Sequence, residues 1–295
     1  MGVDFRSNAI DASHALRISG RATQFTDRFQ AALRLMSVKG IPSLRRRLTW
    51  GSRRSIEIIY ATFTSSYAKM EFSSMDVDVA IQTRRSVRGF TSQPVTSETM
   101  QHVFELAQRS PSNCNIQPWR IFVASGAARD RLRTAMIEQA MLGTPPNSDF
   151  DYPNRFDEPF RKHQIACAVT LFNEMGIGRD DKSGRNRALL RNFELFDAPH
   201  VAFLGMNKQF KEPVALDLGI YLQTLMLAMT AHGIACCPQG SMRSYPDIVR
   251  REFGISPDIG ILVGLSFGYE DRTVPANRTR IARSPLGENV VFKND

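Results

Sequence analysis

Hydrophobic residues along 75–295 follow two different spacings, and each spacing predicts its own kind of element. Between Thr96 and Ser110, apolar residues occupy positions i, i+3, i+4 and i+7, which is the stripe of an amphipathic helix. Thr96 is a suitable N-cap for this helix, and the proline after Ser110 ends it. The segments 201–206 and 259–267 are instead short, strongly apolar runs, which are typical of buried strands.

The rest of this region continues the alternation and predicts an α/β fold in which helices cover a central sheet. No internal repeat and no low-complexity tract interrupts it. The predicted strands are 120–125, 201–206, 236–238 and 259–267, and the last of these is expected to be central. The predicted helices are 77–81, 96–109, 129–141, 160–175, 179–193, 214–233 and one that begins near Ser244.

The longest apolar segment, 214–234, has about the length of a membrane span. It contains Asp217, Gln223 and His232, which are costly in contact with lipid. We therefore expect a buried core helix here rather than a span. Residues 1–20 are also too polar for a signal peptide, so we expect a cytoplasmic protein.

Positive charge is concentrated in residues 1–74. The chain of 295 residues has a net charge of +9, and its 42% hydrophobic and 23% charged residues are an ordinary globular composition. Residues 1–74 contain twelve Lys or Arg and five Asp or Glu, a net charge of +7 that leaves only +2 for 75–295. We therefore expect neither a nucleic-acid nor a membrane partner for the main body of the chain.

Residues 1–74 also lack the regular hydrophobic spacing of the rest, apart from short helical runs such as 29–36. Three interpretations are open: a small helical domain, a loosely ordered basic extension, or residues upstream of a natural start at Met70 or Met75. We favour an extension without a catalytic role, followed by one domain over 75–295. RNA binding by the arginine-rich stretch is a weaker alternative.

The familiar hydrolytic and metal-binding signatures are absent. The patterns GxSxG, HExxH and GxxxxGK[ST] do not occur, and no GxGxxG follows a strand. The five histidines are scattered without ligand spacing, and the four cysteines lack CxxC spacing, which favours free thiols. We therefore predict no catalytic side chain and no metal, and an enzyme of this kind needs a bound cofactor for its chemistry.

Three segments indicate which cofactor. In the segment 84–90, RRSVRGF, guanidinium groups and a hydroxyl follow a helix and suit a phosphate dianion. The segment 110–119, SPSNCNIQPW, is rich in side-chain amides whose donors and acceptors match the edge of an isoalloxazine ring. The segment 277–280, NRTR, is a second basic cluster for the same phosphate. Each segment taken alone has an ordinary explanation, as a solvated basic face or as a polar turn before a packing tryptophan.

In this order the three segments resemble the FMN-dependent nitroreductase family, and the resemblance covers 75–292. The SPSNxNxQPW loop is its most specific part. Further matches at 192–199, 216–223 and 237–240 look most like the nitroaromatic-reducing bacterial branch. The resemblance implies a mixed central sheet flanked by helices. It also implies a homodimer with FMN at the interface, in which a C-terminal strand at 290–292 joins the partner's sheet.

The resemblance places one group of residues at the FMN phosphate. Arg84, Arg85 and Ser86 would bind it directly. Arg278 and Arg280 would close over it from the C-terminal side.

A second group would contact the flavin ring. Arg88 would lie beside N1 and O2, and Asn115 would bond the pyrimidine edge, with Gln117 in the same loop. A backbone N–H near Gly240, next to Gln239, would face N5. The sequence PQGS at 238–241 departs here from the better-known Pro-x-Glu-Gly pattern of the family.

The implied activity is the reduction of nitroaromatics, quinones or similar small electrophiles by a ping-pong mechanism. NADPH or NADH supplies the hydride, and no side chain acts as acid or base. The alternatives are a flavin reductase, a dehalogenase or a non-catalytic flavin-binding sensor. Membrane-anchored dehalogenases begin with an apolar helix that 1–74 do not contain, which disfavours that activity. The oxidant and the choice between NADH and NADPH are left open by the sequence.

Overall fold

Four antiparallel strands form the central sheet of the described residues, which are 75–153 and 155–294 in this computed structural model. The predicted extension at 1–74 lies outside them. The strands are β1 (Arg120–Ser125), β2 (His200–Asn207), β3 (Ala235–Gln239) and β4 (Ile259–Gly268), in the spatial order β1-β2-β4-β3. The most apolar strand, β4, therefore lies inside the sheet, as predicted. Parallel pairing is confined, within the described residues, to an isolated bridge between Ser86 and Cys236.

Eight α-helices of the described residues surround this sheet, which confirms the predicted α/β fold. They are α1 (Val77–Thr83), α2 (Ser97–Ala107), α3 (Gly126–Met141), α4 (Phe160–Glu174), α5 (Lys182–Leu190), α6 (Glu212–Ala231), α7 (Pro246–Phe253) and α8 (Leu286–Asn289). Thr96 caps α2 as predicted, since its hydroxyl accepts from the Thr99 N–H.

Two segments differ from the sequence-based expectation. The helix predicted at 179–193 is shorter, because the Asp181 carboxylate accepts from the Gly184 N–H and starts α5 late. Its C-terminal side gives way to a turn in which Leu195 and Phe196 have positive φ. The segment 290–292 forms no strand within the chain, and Val291 and Phe292 are 91% and 74% exposed.

Helix α6 lies in the core, against α2 and the sheet. Its buried residues include Tyr221, Leu225 and Met229, and Tyr221 packs against Trp119 with the ring centroids 5.0 Å apart. Among the described residues α6 alone is long and apolar enough to cross a membrane. Its buried Asp217 and its contacts with the sheet are those of a core helix.

His200, at the start of β2, joins three segments of the chain. Its Nε2 accepts from the Val95 N–H at 2.9 Å, so in the neutral ring the proton is on Nδ1 and is donated to the Ser125 hydroxyl at 2.5 Å. The ring also stacks on Phe267. Burial lowers the pKa of His200, and the nearby charge of Arg129 lowers it further. A protonated ring could no longer accept from Val95.

Stability is expected to fall as the pH falls below the ordinary histidine pKa of about 6.5. The folded-state pKa of His200 is lowered, so the unfolded chain binds the proton more readily, and stability is fully present only above that pH. The slope for this one proton is at most about 1.4 kcal/mol per pH unit. Urea unfolding from about pH 7.5 to about pH 5.5 measures it, and His200→Gln should flatten the curve. Parallel curves for the two proteins would contradict the assignment.

Candidate functional site

The arginine segment, residues 84–90, lies beside the edge strand β3. Val87 donates its N–H to the Cys236 carbonyl at 3.1 Å, and Phe90 donates to the Phe196 carbonyl at 3.1 Å. The side chains of Val87 and Phe90 are buried, whereas the arginines between and before them are half-buried. The backbone of this segment is therefore fixed to the sheet while its guanidinium groups remain available to a ligand.

Gly89 allows the C-terminal turn, Pro275–Arg278, to approach the arginine segment closely. A Cβ at Gly89 would lie 2.5 to 2.7 Å from three atoms of the Val274 side chain, which is a clash. Gly89 also accepts from the Asp271 N–H at 3.0 Å. A glycine at this position lets two segments nearly 190 residues apart share one site.

Asn277 is the centre of that contact and is only 3% exposed. Its Nδ2 donates to the carbonyls of Gly89 at 2.9 Å and Asp271 at 2.7 Å. Its Oδ1 accepts from the backbone N–H of Arg88 at 2.6 Å. Every side-chain polar atom of Asn277 therefore holds the arginine segment or the loop that precedes the turn.

The backbone carbonyl of Asn277 brings two guanidinium groups together. Arg85 and Arg280 each donate from Nη1 to this one oxygen at 3.0 Å. Glu270 forms an ion pair with Arg85, and no carboxylate of the described residues pairs with Arg280. Of these two adjacent cations only Arg85 is paired with a carboxylate, which leaves net positive charge, and this donor set suits a phosphate dianion.

Arg84 and Ser86, two other predicted phosphate ligands, share their surroundings with Arg88, the residue predicted at N1 and O2. Arg84, Ser86 and Arg88 lie around the Cys237 thiol, whose pKa burial raises to about 11 against the opposing influence of these three groups. Burial also raises the pKa of the neighbouring Cys236 thiol, to about 12. Neither thiol is therefore a nucleophile near neutral pH.

Arg278 is directed elsewhere. Its Nε lies 3.2 Å from a carboxylate oxygen of Glu174 at the end of α4, and its Nη2 donates to the Glu174 carbonyl. The structure therefore brings Arg85 and Arg280 together, and it does not bring Arg278 to the same point.

The amide-rich loop that follows α2 has an unusual backbone. Cys114, Asn115 and Gln117 have φ of 48°, 55° and 45°, in the left-handed region that non-glycine residues rarely adopt. Such conformations cost about 1 to 3 kcal/mol each and cluster at functional sites. Both Asn115 and Gln117 are exposed. The loop thus presents its amides outward on a backbone that the surrounding structure must hold.

Hydrogen bonds within the loop and to the helices beneath it supply that support. The Asp217 carboxylate, on α6, accepts from the Asn113 N–H with both oxygens at 3.3 Å. The Ser112 hydroxyl accepts from the Gln117 N–H at 3.0 Å. Trp119, at the end of the loop, donates from its indole N–H to Gln108 at 3.0 Å. These bonds join the loop to α2 and to the core helix α6.

Gln239 and Gly240 close the site at the end of β3. The Gln239 side chain is buried: its Nε2 donates to the Asn192 carbonyl at 2.8 Å, and its Oε1 accepts from the Ser266 hydroxyl. Its amide is thus occupied inside the protein. Gly240 is exposed, so at this point it is the backbone that faces outward.

Three residues that organise this site received no site role from the sequence, although two of them lie in segments that the resemblance covers. Asn277 lies next to Arg278 in the basic cluster. Its polar side chain at that position is the only feature of the sequence that points to its role. The contacts made by Glu270 and Asp217 leave no local signal, because their partners Arg85 and Asn113 are 185 and 104 residues away.

Comparison with known proteins identifies the family of this chain. The Nitroreductase family model matches residues 81–269. Nitroreductase NfnB of Mycolicibacterium smegmatis is 44% identical over 216 residues, which is 72% of this chain and 90% of that protein. Nitrobenzene nitroreductase of Ectopseudomonas oleovorans is 32% identical over 74% of this chain and 97% of its own length.

The fold matches a solved structure over the same region. The crystal structure of the FMN-dependent nitroreductase NfnB from Mycobacterium smegmatis in complex with NADPH aligns with a TM-score of 0.71 and 41% identity. The alignment covers 74% of this chain and 97% of that one. With the family model matching more than half of its length, this chain belongs to the nitroreductase family.

Proposed function

We propose that this protein uses FMN and NAD(P)H to reduce nitroaromatics, quinones or related electrophiles. The solved relatives are FMN-dependent and NADPH-dependent nitroreductases, and a curated relative acts on nitrobenzene. These relatives favour a reductase over a flavin-binding sensor. The observation in this chain that carries the proposal is the convergence of Arg85 and Arg280 on the Asn277 carbonyl oxygen.

The donor set fits FMN. Arg84, Arg85 and Ser86 would hold the phosphate together with Arg280. Arg278 reaches it only by leaving Glu174, a contact between exposed groups that costs little to break.

The ring contacts come from three other parts of the site. Arg88 would lie at N1 and O2, and Asn115 and Gln117 at the pyrimidine edge. Gly240 would present its backbone to N5, with Gln239 holding the end of β3 in place from inside.

FMN, when bound, supplies the chemistry that accepts hydride from NAD(P)H and passes electrons to the oxidant. The residues of this chain bind, orient and hold charge. Arg88 supplies a fixed positive charge at the ring, and a charge held in place before the reaction stabilises negative charge as it develops. No side chain is required to take or give a proton, which is consistent with both buried thiols being neutral.

A flavin spectrum of the purified protein tests the proposal. The full-length chain should bind FMN with one equivalent per chain, show the absorbance of oxidised flavin, and bleach when NADPH or NADH is added without oxygen. Adding a nitroaromatic or a quinone should then restore the colour. A colourless protein that fails to take up added FMN would contradict the proposal.

We propose that the protein is a homodimer. Apolar side chains remain exposed on α4, on α6 and at the C terminus, and a surface of this kind usually marks an interface. They are Phe160, Ile165, Val169, Leu216, Val291 and Phe292. The unpaired segment 290–292 is suited to add a strand to a partner's sheet.

Replacing Val291 and Phe292 together by aspartate is expected to weaken the dimer and to lower the FMN occupancy. Two charges cannot be buried at an apolar contact without a large cost. Light scattering after gel filtration measures the mass, and absorbance measures bound FMN. Leu142→Asp, at another exposed apolar residue, serves as the control. A double variant that stays dimeric and fully loaded would exclude this contact.

We also propose that the protein works in the cytoplasm with small molecules, and that residues 1–74 are an extension not needed for activity. The free thiols and the near-neutral charge of 75–295 support these proposals. A chain that begins at Met75 should retain FMN and the reductase activity of the full chain.

A further inference from the structure

Arg243 lies beside the proposed reacting end of the site. It ends the turn Gly240–Arg243 that follows β3, and its side chain folds back over the start of that turn. Its Nη1 is 3.9 Å from the position that a Cβ on Gly240 would take. Gly240 is the exposed residue whose backbone we place at N5, so the guanidinium group lies next to the space that the substrates enter.

A stacking contact holds the Arg243 guanidinium in this position. Its central carbon is 3.8 Å from the centroid of the Tyr152 ring. A cation stacked on an aromatic face keeps its N–H donors free at the edge, where they can bind a planar or tetrahedral anion. The stack therefore orients the group without using its hydrogen-bonding capacity.

The loop that carries Tyr152 is itself anchored. Asp149 pairs with Arg250 at 2.8 Å and with Lys208 at 2.9 Å, and it accepts from the Ile261 N–H at 2.9 Å. Earlier in the same loop, the Thr144 carbonyl accepts from the Tyr245 hydroxyl at 3.0 Å. These bonds hold the loop that precedes Tyr152 against the rest of the domain.

Among the described residues, the charge of Arg243 has no counter-ion. Within the part of the chain that the structure describes, no carboxylate lies within ion-pairing distance of it, although it is half-buried. By contrast, Arg250 and Arg191 are each paired with two carboxylates. An arginine that is half-buried, oriented and without an ion pair among the described residues is suited to bind an anionic ligand.

We infer that Arg243 binds an anionic group, a carboxylate or a phosphate, carried by the molecule that occupies the substrate side of the site. The inference rests on the proposed function, because it places the substrates next to Gly240. Two sources supply this chemistry: a carboxylate on the oxidant, or the ribose phosphate by which NADPH differs from NADH.

Equilibrium binding tests the first source without turnover. Benzoate and benzamide have nearly the same shape and differ in charge, and calorimetry of the FMN-loaded protein gives the Kd of each. Arg243→Gln should raise the Kd for benzoate at least about tenfold more than that for benzamide, the effect of one charge-assisted bond. Arg243→Lys, which keeps the charge but loses the planar fork, should fall between the two.

The dinucleotide is tested by stopped-flow reduction with NADPH and NADH. If the phosphate of NADPH is the anion, Arg243→Gln should lower the ratio of the apparent affinities for NADPH and NADH at least about tenfold. The control is Arg251→Gln, which removes one positive charge from the exposed side of α7 and should leave both ratios unchanged.

A selective loss for benzoate or for NADPH supports the inference and identifies the source. Equal losses for charged and neutral ligands, or no loss at all, would overturn it while leaving the proposed function intact, provided that the variant is yellow and reducible. A wild-type protein that binds no FMN overturns the proposed function and this inference together.

Discussion

Replacing Asn277 by leucine is expected to deprive the protein of most of its FMN. Leucine has a similar volume but removes the acceptor for the Arg88 N–H and the donor to the carbonyls of Gly89 and Asp271. A buried polar group left without a partner costs about 1 to 3 kcal/mol. The arginine segment and the C-terminal turn would then separate, and binding FMN would have to bring them together again.

The expected magnitude is a rise in the Kd for FMN of about a hundredfold or more, which corresponds to about 2.8 kcal/mol. Titration of the apoprotein with FMN, followed by flavin fluorescence, measures it, and thermal unfolding with and without FMN separates affinity from stability. Asn186→Leu makes the same change at an exposed site on α5 and should have little effect. Arg280→Met tests the same site without disturbing the Asn277 side chain. If the leucine variant were less stable but bound FMN as tightly as before, Asn277 would have a structural role alone.

The elements were predictable from the sequence because their signals are local. Strand β4 is an unbroken apolar run of more than six residues, and the stripe and the Thr96 cap of α2 lie within one short segment. Both patterns depend only on neighbouring residues along the chain, so they can be recognised without knowledge of the fold. The end of α5 was less predictable. The turn after it has positive φ at Leu195 and Phe196, and these residue types do not normally indicate such a conformation.

The sequence singles out the segments 84–90, 110–119 and 277–280, but it does not reveal the contacts of their individual side chains. Arg278 and Arg280 are two residues apart and look equivalent in the sequence. In the structure Arg278 pairs with Glu174 and Arg280 turns to the Asn277 carbonyl. The difference comes from where α4 ends, which is a property of the tertiary fold. The buried amide of Gln239 is a similar case, because Asn192 and Ser266 reach it only after β3 and β4 have paired.

Arg88 occupies a special position among the arginines of the site. Its backbone N–H is held by Asn277, and its Nη1 donates only a long bond of 3.3 Å to the Ser86 carbonyl. No carboxylate of the described residues forms an ion pair with it, whereas Arg85 is paired with Glu270. The backbone of Arg88 is thus held in place, and within the described residues no carboxylate neutralises its charge. Such a charge favours whichever redox state of a neighbouring ligand is more negative.

Arg88→Gln is therefore expected to lower the midpoint potential of bound FMN by about 30 to 60 mV, since 30 mV corresponds to about 1.4 kcal/mol for two electrons. Reduction by NADPH should slow about tenfold to a hundredfold, because the same charge acts in the transition state. Equilibration with redox dyes measures the potential, and stopped-flow absorbance measures the rate. Arg88→Lys should restore most of both, whereas Arg251→Gln, which changes the net charge equally, should change neither. A glutamine variant that binds FMN at an unaltered potential would show that Arg88 does not lie at the ring, and would direct attention to Arg84 as the charge nearest the flavin.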